Sequence, residues 1–227
     1  MITEEKFGQF LNLERLGFKK CNDYEFYGQV YKMQLNNVLV YVDFRLLNGC
    51  FSGISAHLFM EDVEKLSNEL ILKYNILLNR GVDIKLTITP TKLIPLIESA
   101  QEKNREAQRI FLQPDNVQQV ADMVYEYLTE VYQPFWEKYS NLQVFNDEVI
   151  DKIDQFKLSN YIPFDSAWKK MIIMKLCKNS NYQKYIEWLE SVWKKKSETE
   201  DLKQNNQYLM YLELKEILET EKINDYF

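Results

Sequence analysis

One histidine, three cysteines, five prolines and six glycines are scattered through 227 residues, and each scarcity removes a class of protein. With His57 alone, no site built on several histidines can form within one chain. Cys21, Cys50 and Cys177 are odd in number and widely spaced, so they make neither a complete disulfide framework nor the paired spacing of a zinc site and read as inert thiols. Phosphate-cradling loops need glycines in series, and the chain has no P-loop, no GxGxxG, no HExxH and no GxSxG. Glycine and proline nowhere concentrate, which removes the mark of a flexible linker. No apolar run approaches the length of a membrane span. The first residues, Met1 to Lys6, are acidic, and Asn12, Glu14 and Arg15 interrupt the stretch where a signal peptide needs a continuous apolar core. A cytoplasmic protein without a cofactor is the expectation.

What the chain does have is core-forming material: 46% hydrophobic residues and 14% aromatics, enough to fold without metal or disulfides. Its formal net charge is -6, unevenly spread. Residues 1–60 carry six basic and six acidic side chains, and 181–227 carry seven and ten. Neutralising phosphates takes clustered Lys and Arg, so nucleic acid is a poor partner for this surface, and a basic protein is a better one.

Thr3, followed by Glu4 and Glu5 and by Phe7, Phe10 and Leu11 at helical spacing, predicts a capped helix ending near Gly17. From Tyr24 the period becomes two: Val30, Lys32 and Gln34 alternate with Tyr31, Met33 and Leu35, and Val38 to Leu46 is β-branched and aromatic. Asn36-Asn37 and Asn48-Gly49 tolerate positive φ and predict two tight turns. Beyond the second, Phe51, Gly53, Ser55, His57 and Phe59 are expected on one face of a strand and Ser52, Ile54, Ala56 and Leu58 on the other. The segment 61–80 fits both periods, with helix favoured, and Val82 to Ile88 alternates as a strand stopped by Pro90.

After Pro90 the pattern turns helical. Helices are expected around Leu93–Ile110 and from a cap at Asp115 through the stripe Val117, Val120, Val124, Leu128 and Val131, which Pro134 ends while starting the next at its first turn. Further helices are expected over Asn146–Phe156, Asp165–Cys177, Asn181–Lys194 and Glu200–Glu219. The reading is an α+β protein, an antiparallel N-terminal β-sheet packed with helices and followed by a helical C-terminal part. The division it suggests is an α+β domain over 1–157 and a helical extension over 158–227.

The succession Leu16-Gly17-Phe18-Lys19-Lys20, then Phe26-Tyr27, and later Pro134-Phe135-Trp136-Glu137-Lys138-Tyr139-Ser140-Asn141-Leu142 resembles a family of small bacterial α+β domains of unknown function. The likeness covers roughly residues 1–156. It implies an antiparallel sheet and brings no catalytic residues to carry over; some relatives are similar to immunity or antitoxin-like proteins.

Two constellations compete for function. His57 would need a carboxylate such as Asp43 across the sheet to work, with Tyr41 beside it, in a small-ligand or hydrolytic site. The other is a surface. Asp147, Asp151 and Asp154 fall at i, i+4, i+7 on the helix expected there, and because carboxylates on one straight helix diverge, they suit a solvated face better than a metal. Glu126 and Glu130 repeat the spacing at a cost of about a few tenths of a kcal/mol with no local reason visible in sequence. Tyr132, Phe135, Trp136 and Tyr139 cluster around Pro134 as core or, if exposed, as a contact patch. The leading expectation is a non-enzymatic protein-binding module, immunity-like in role, whose contacts are Glu126, Glu130, Trp136, Asp147 and Asp151 and whose partner is a basic protein. Oligomeric state is not legible.

Overall fold

The computed structural model describes residues 1–21, 28–76, 87–163, 166–199, 201–202 and 205–220. Its strands are β1 (Lys19–Cys21), β2 (Gln29–Leu35), β3 (Val38–Leu47) and β4 (Cys50–Met60). The helices before residue 140 are α1 (Glu4–Leu11), α2 (Glu61–Lys73), α3 (Glu98–Arg109), α4 (Val117–Tyr127) and α5 (Gln133–Tyr139). Those after it are α6 (Leu142–Phe145), α7 (Ser166–Leu176), α8 (Tyr182–Lys196) and α9 (Asn206–Glu219). This is an α+β chain with an antiparallel N-terminal sheet and a helical C-terminal part. Among the described residues no helix is long and apolar enough to cross a membrane.

The chain groups into two compact units, Met1–Phe59 with Ile88–Ser140, and Met60–Thr87 with Asn141–Phe227. The division expected after residue 157 is therefore not the one packing draws: α2 and α6 belong with the C-terminal helices. Hydrophobic burial pairs segments distant in sequence, which periodicity along the chain does not register.

In the first unit the sheet runs β1-β2-β3-β4. β2 and β3 pair antiparallel from Leu35 opposite Val38 to Gln29 opposite Phe44, closed by Asn36 at φ 54°, a conformation asparagine enters more readily than most residues. Asn48 and Gly49, at φ 52° and 81°, turn β3 into β4. The alternation expected along β4 breaks once. Buried positions are Phe51, then Ile54, Ala56, Leu58 and Met60, so the period slips by one at Ser52-Gly53, where Gly53 holds φ 149°. Phe51 thus leaves the face of Ser55, His57 and Phe59 and stacks on Phe7, with ring centroids 5.8 Å apart.

Thr3 caps α1 by accepting from the Lys6 amide at 3.2 Å, satisfying one of the orphan donors of the first turn. The helix is shorter than expected. It stops at Leu11 because Asn12 turns left-handed (φ 47°), and Gly17 (φ 89°) caps a separate 3₁₀ turn over Leu13–Leu16. Phe7 and Leu11 are fully buried; sealing a side chain of this size stabilises by about 1.5–3 kcal/mol. α3 begins at Glu98, later than expected, after a 3₁₀ turn at Pro90–Lys92 and an extended Ile97. Asn116, not Asp115, stands before α4, its carboxamide accepting from the Gln113 amide at 2.9 Å and donating to the Phe111 carbonyl at 3.0 Å. The stripe Val117, Val120, Val124, Leu128 and Val131 is buried as a whole. Pro134 does not break the chain's helical course; α4 widens into a π turn over Leu128–Tyr132 and continues as α5, the wider turn absorbing the proline ring and its missing N–H.

In the second unit α7 is apolar on almost every side, burying Trp168, Met171, Ile172, Ile173 and Met174, and it packs on α2, α8 and α9. Trp168 lies parallel to Trp193 with centroids 6.2 Å apart, and Tyr211 closes on both at 6.1 and 6.2 Å. The helix expected over Asn146–Phe156 is not continuous. α6 opens into a π turn at Asn146–Ile150, and a separate 3₁₀ stretch, Gln155–Asn160, follows, capped by Asp154, which accepts from the Phe156 amide at 2.8 Å. α2 is helical, as favoured, and ends at Lys73. Residues 77–80 of the ambiguous segment, 82–86 of the strand expected from Val82, the start at Tyr24, the Phe26-Tyr27 pair, and the starts at Asp165 and Glu200 lie outside the described residues; of that strand Thr87 and Ile88 are described, Ile88 bridging Leu58.

Candidate functional site

Strand alternation sends Tyr41 and Asp43 to one face of β3 and Ser55, His57 and Phe59 to one face of β4. His57 Nε2 lies 3.4 Å from Asp43 Oδ1, with the two side chains 18% and 22% exposed. The same Nε2 lies 2.5 Å from Ser55 Oγ. Tyr41, buried, meets Phe59 edge-on with centroids 6.4 Å apart. Tyr132 donates from its hydroxyl to the Ile54 carbonyl at 3.3 Å. Burial, then the neighbouring Tyr127, then the charge of Asp43 push that hydroxyl well above the ordinary phenol range.

This trio has the residue types of a serine hydrolase and a different geometry. In a relay the carboxylate holds one ring nitrogen so that the other can take the serine proton. Here hydroxyl and carboxylate meet at a single nitrogen, and a ring proton given to one is withdrawn from the other. The Asp43–His57 contact ties β3 to β4.

The residues expected to form a surface fare differently from one another. Lys103 on α3 reaches Glu126 at 2.6 Å, and that hydrogen bond, then the Glu126 charge, with Glu130 adding to it, raises the lysine above its ordinary value. This is the local reason for two carboxylates four residues apart, and it lies on a neighbouring helix where sequence spacing does not show it. Both glutamates are exposed. Trp136 is not: it is 3% exposed and meets Phe18 edge-on at 5.5 Å. Tyr132, Phe135 and Tyr139 are buried too, so the aromatic cluster is core, and Trp136 is removed from any exposed face. In the second unit Asp147 accepts from Gln143 at 2.8 Å and from Asn146 at 2.9 Å. Asp151 accepts from Asn179 at 2.8 Å, whose other amide hydrogen goes to Asn146 at 2.7 Å and whose oxygen accepts from the Asn181 backbone at 2.8 Å. Asp147 and Asp151 thus brace the turns around α6 and α7.

The most buried polar constellation was not anticipated. Lys169 on α7 and Glu64 on α2 pair at 2.6 Å with neither side chain exposed. Thr87 donates to the same Glu64 oxygen at 2.8 Å and accepts from the Met60 amide at 2.8 Å, and the ammonium also reaches the Pro163 carbonyl at 3.5 Å. The available signal was a lysine inside the apolar run Trp168 to Met174, since an unpaired charge there would be prohibitively costly. Next to it, Lys170 donates to Gln155 at 3.0 Å and lies 4.6 Å from the Tyr185 ring centroid; burial lowers its ammonium against the raising charges of Asp151 and Asp154. Cys177 donates to the Leu142 carbonyl at 3.6 Å, and burial, then the charges of Asp147 and Asp151, push its thiol up to about 11. Few thiolates exist at neutral pH under those conditions, which makes it unreactive. Among the described residues no group of three or more His, Cys, Asp or Glu is placed to hold a metal ion.

No family model, no curated protein and no solved structure matches this chain.

Proposed function

We propose that this chain is a non-catalytic binding protein whose partner is a basic protein, in a role of the immunity or antitoxin kind, acting in the cytoplasm. The observation that carries the reading is the pair Glu126 and Glu130, exposed four residues apart, with Lys103 the one cation paired to either among the described residues and bonded to the first. Two carboxylates set against one ammonium leave negative charge on display, and displayed charge accelerates encounter with an oppositely charged surface. The net charge of -6 acts in the same direction. Cys21, Cys50 and Cys177, none of them in a disulfide, suit a reducing compartment. Of the contacts expected from sequence the proposal is carried by Glu126 and Glu130; Trp136 is buried, and Asp147 and Asp151, though exposed, lie in the other unit and bond neighbours there. Capture from native lysate with the wild-type chain and with Glu126→Gln/Glu130→Gln tests it. A basic protein retained by the first and released by the double variant or by moderate salt supports the reading, and retention indifferent to both removes it.

A small-ligand or hydrolytic function around His57, Asp43 and Tyr41 is the second reading. Its support is the close approach of Ser55 to His57 at 2.5 Å. Covalent labelling of Ser55 by a fluorophosphonate, lost in His57→Gln, would establish it over the first.

A further inference from the structure

The first unit carries an open cavity of about 370 Å³ walled by α1, the turn after it, β1 and β2, with Glu5, Gly8, Glu14, Lys20 and Tyr31 among its lining. That volume lies at the lower end of the about 300–1,000 Å³ typical of small-ligand pockets. Tyr31 is 6% exposed, and its ring stacks on Phe44 with centroids 6.0 Å apart. Its hydroxyl makes no hydrogen bond among the described residues and lies directly over Gly8, where an added Cβ would stand 2.4 Å from the phenolic oxygen. A helix-interior glycine costs about 1 kcal/mol against alanine, so the space kept there for one hydroxyl has a price in stability. A hydroxyl that lines an open cavity and bonds no described residue is left to meet water or ligand there.

The charges around it are asymmetric. Lys20 pairs with Glu5 at 3.3 Å on the exposed rim, whereas Glu14, also exposed, makes no ion pair among the described residues. Arg15, next to it in sequence, is engaged elsewhere, 3.2 Å from the centroid of the Tyr125 ring. Burial, then the charges of Glu14 and Glu5, hold the proton on Tyr31 more tightly than usual, and both glutamates line the same cavity as the phenol. We propose that this cavity is a cation site, seating an ammonium group on an aliphatic arm between the Tyr31 hydroxyl oxygen and the Glu14 carboxylate. An ammonium brings three donors, enough for the acceptor lone pairs of the phenol and for a charge-assisted bond to Glu14. The same chemistry arrives as a free alkylamine or as a lysine of a protein partner.

The proposal deepens the binding reading by giving the partner's cation a seat, and the two fail separately, because the capture experiment above turns on Glu126 and Glu130 and leaves this cavity intact. The test is a titration of the ¹⁵N-labelled full chain with n-butylammonium, with n-butanol as its neutral match, and with acetyl-Gly-Lys-Gly-amide. Saturable shifts of the Gly8, Glu14 and Tyr31 amides are expected with the amine and not with the alcohol. The dissociation constant is expected to rise about tenfold in Glu14→Gln and several-fold in Tyr31→Phe, with resonances of the second unit unmoved. Saturation by both amine and peptide, or by the peptide at much lower concentration, supports the site and tells a free amine from a lysine side chain as its source. An equal response to butanol, no saturable response to either cation, or affinities unchanged in both variants overturns it.

Discussion

The Tyr31 hydroxyl and the α-carbon of Gly8 are in such close approach that a methyl group on residue 8 would come within 2.4 Å of the phenolic oxygen. The glycine is there for the tyrosine. Gly8→Ala should lower stability by about 1–2 kcal/mol, the overpacking cost exceeding the gain in helix propensity. In a Tyr31→Phe background the same substitution meets only ordinary contacts, with Phe44 at 3.4 Å and the Tyr31 ring carbon at 3.5 Å, and should be neutral or stabilising by up to about 1 kcal/mol. A double-mutant cycle by urea unfolding reads the change of sign.

The Lys169–Glu64 pair should behave as an interior pair does. Lys169→Met or Glu64→Leu alone strands a buried charge and should cost about 3–5 kcal/mol, whereas the double substitution should recover most of that loss. Thr87→Val, which removes the hydroxyl bonded to both Glu64 and the Met60 amide, should cost about 1–3 kcal/mol. Chemical denaturation of the four chains separates these outcomes.

Alkaline titration should unfold the protein through its buried phenols. Tyr132, Tyr185 and Tyr211 all have hydroxyls raised above 10, in each case chiefly by burial. The fold keeps protons that the unfolded chain releases, so their contribution is intact below about pH 10 and falls above it, by at most about 1.4 kcal/mol per pH unit for each. Lys170 runs the other way: its lowered value means that its burden on the fold eases as pH rises toward 10.5. One lysine against three tyrosines leaves a net loss. Absorbance at 295 nm should show these phenols ionising together with unfolding, at a pH above that of the exposed tyrosines.

A chain ending at residue 157 should not fold as a complete domain. It would keep α2 but lose α7, on which α2 packs, exposing Val63, Leu66 and Leu70 and leaving Glu64 without Lys169. Proteolysis is expected to cut first within residues 60–76, while residues 1–59 resist longer.

What was legible in sequence is what local geometry controls. The turns at Asn36-Asn37 and Asn48-Gly49 were readable because few residues accept positive φ, β2 because its side chains alternate, and β3 because its run is β-branched and aromatic. The slip at Gly53 was not, since a single glycine leaves the letters alternating on both sides of it. Asn146–Phe156 reads as one helix by period, yet a π turn and the Asp154 cap interrupt it, and neither changes the spacing of apolar residues. The approach of Asp43 to His57 could be drawn from strand register, but which ring nitrogen they share could not. Trp136 looked the same in sequence whether buried or exposed, and Lys103 beside Glu126, like Lys169 beside Glu64, joins segments that only packing brings together.

The non-catalytic proposal requires that His57 act as a tie between strands and not as a base. Because it is the only histidine, long-range ¹H–¹⁵N correlation shows one imidazole and reports its two nitrogens separately. Asp43→Asn and Ser55→Ala should each move the Nε2 signal and leave Nδ1 in place. Movement of Nδ1 in Asp43→Asn, with Nε2 answering only to Ser55→Ala, would mean a carboxylate and a serine on opposite sides of the ring, and would contradict the account in favour of a hydrolase.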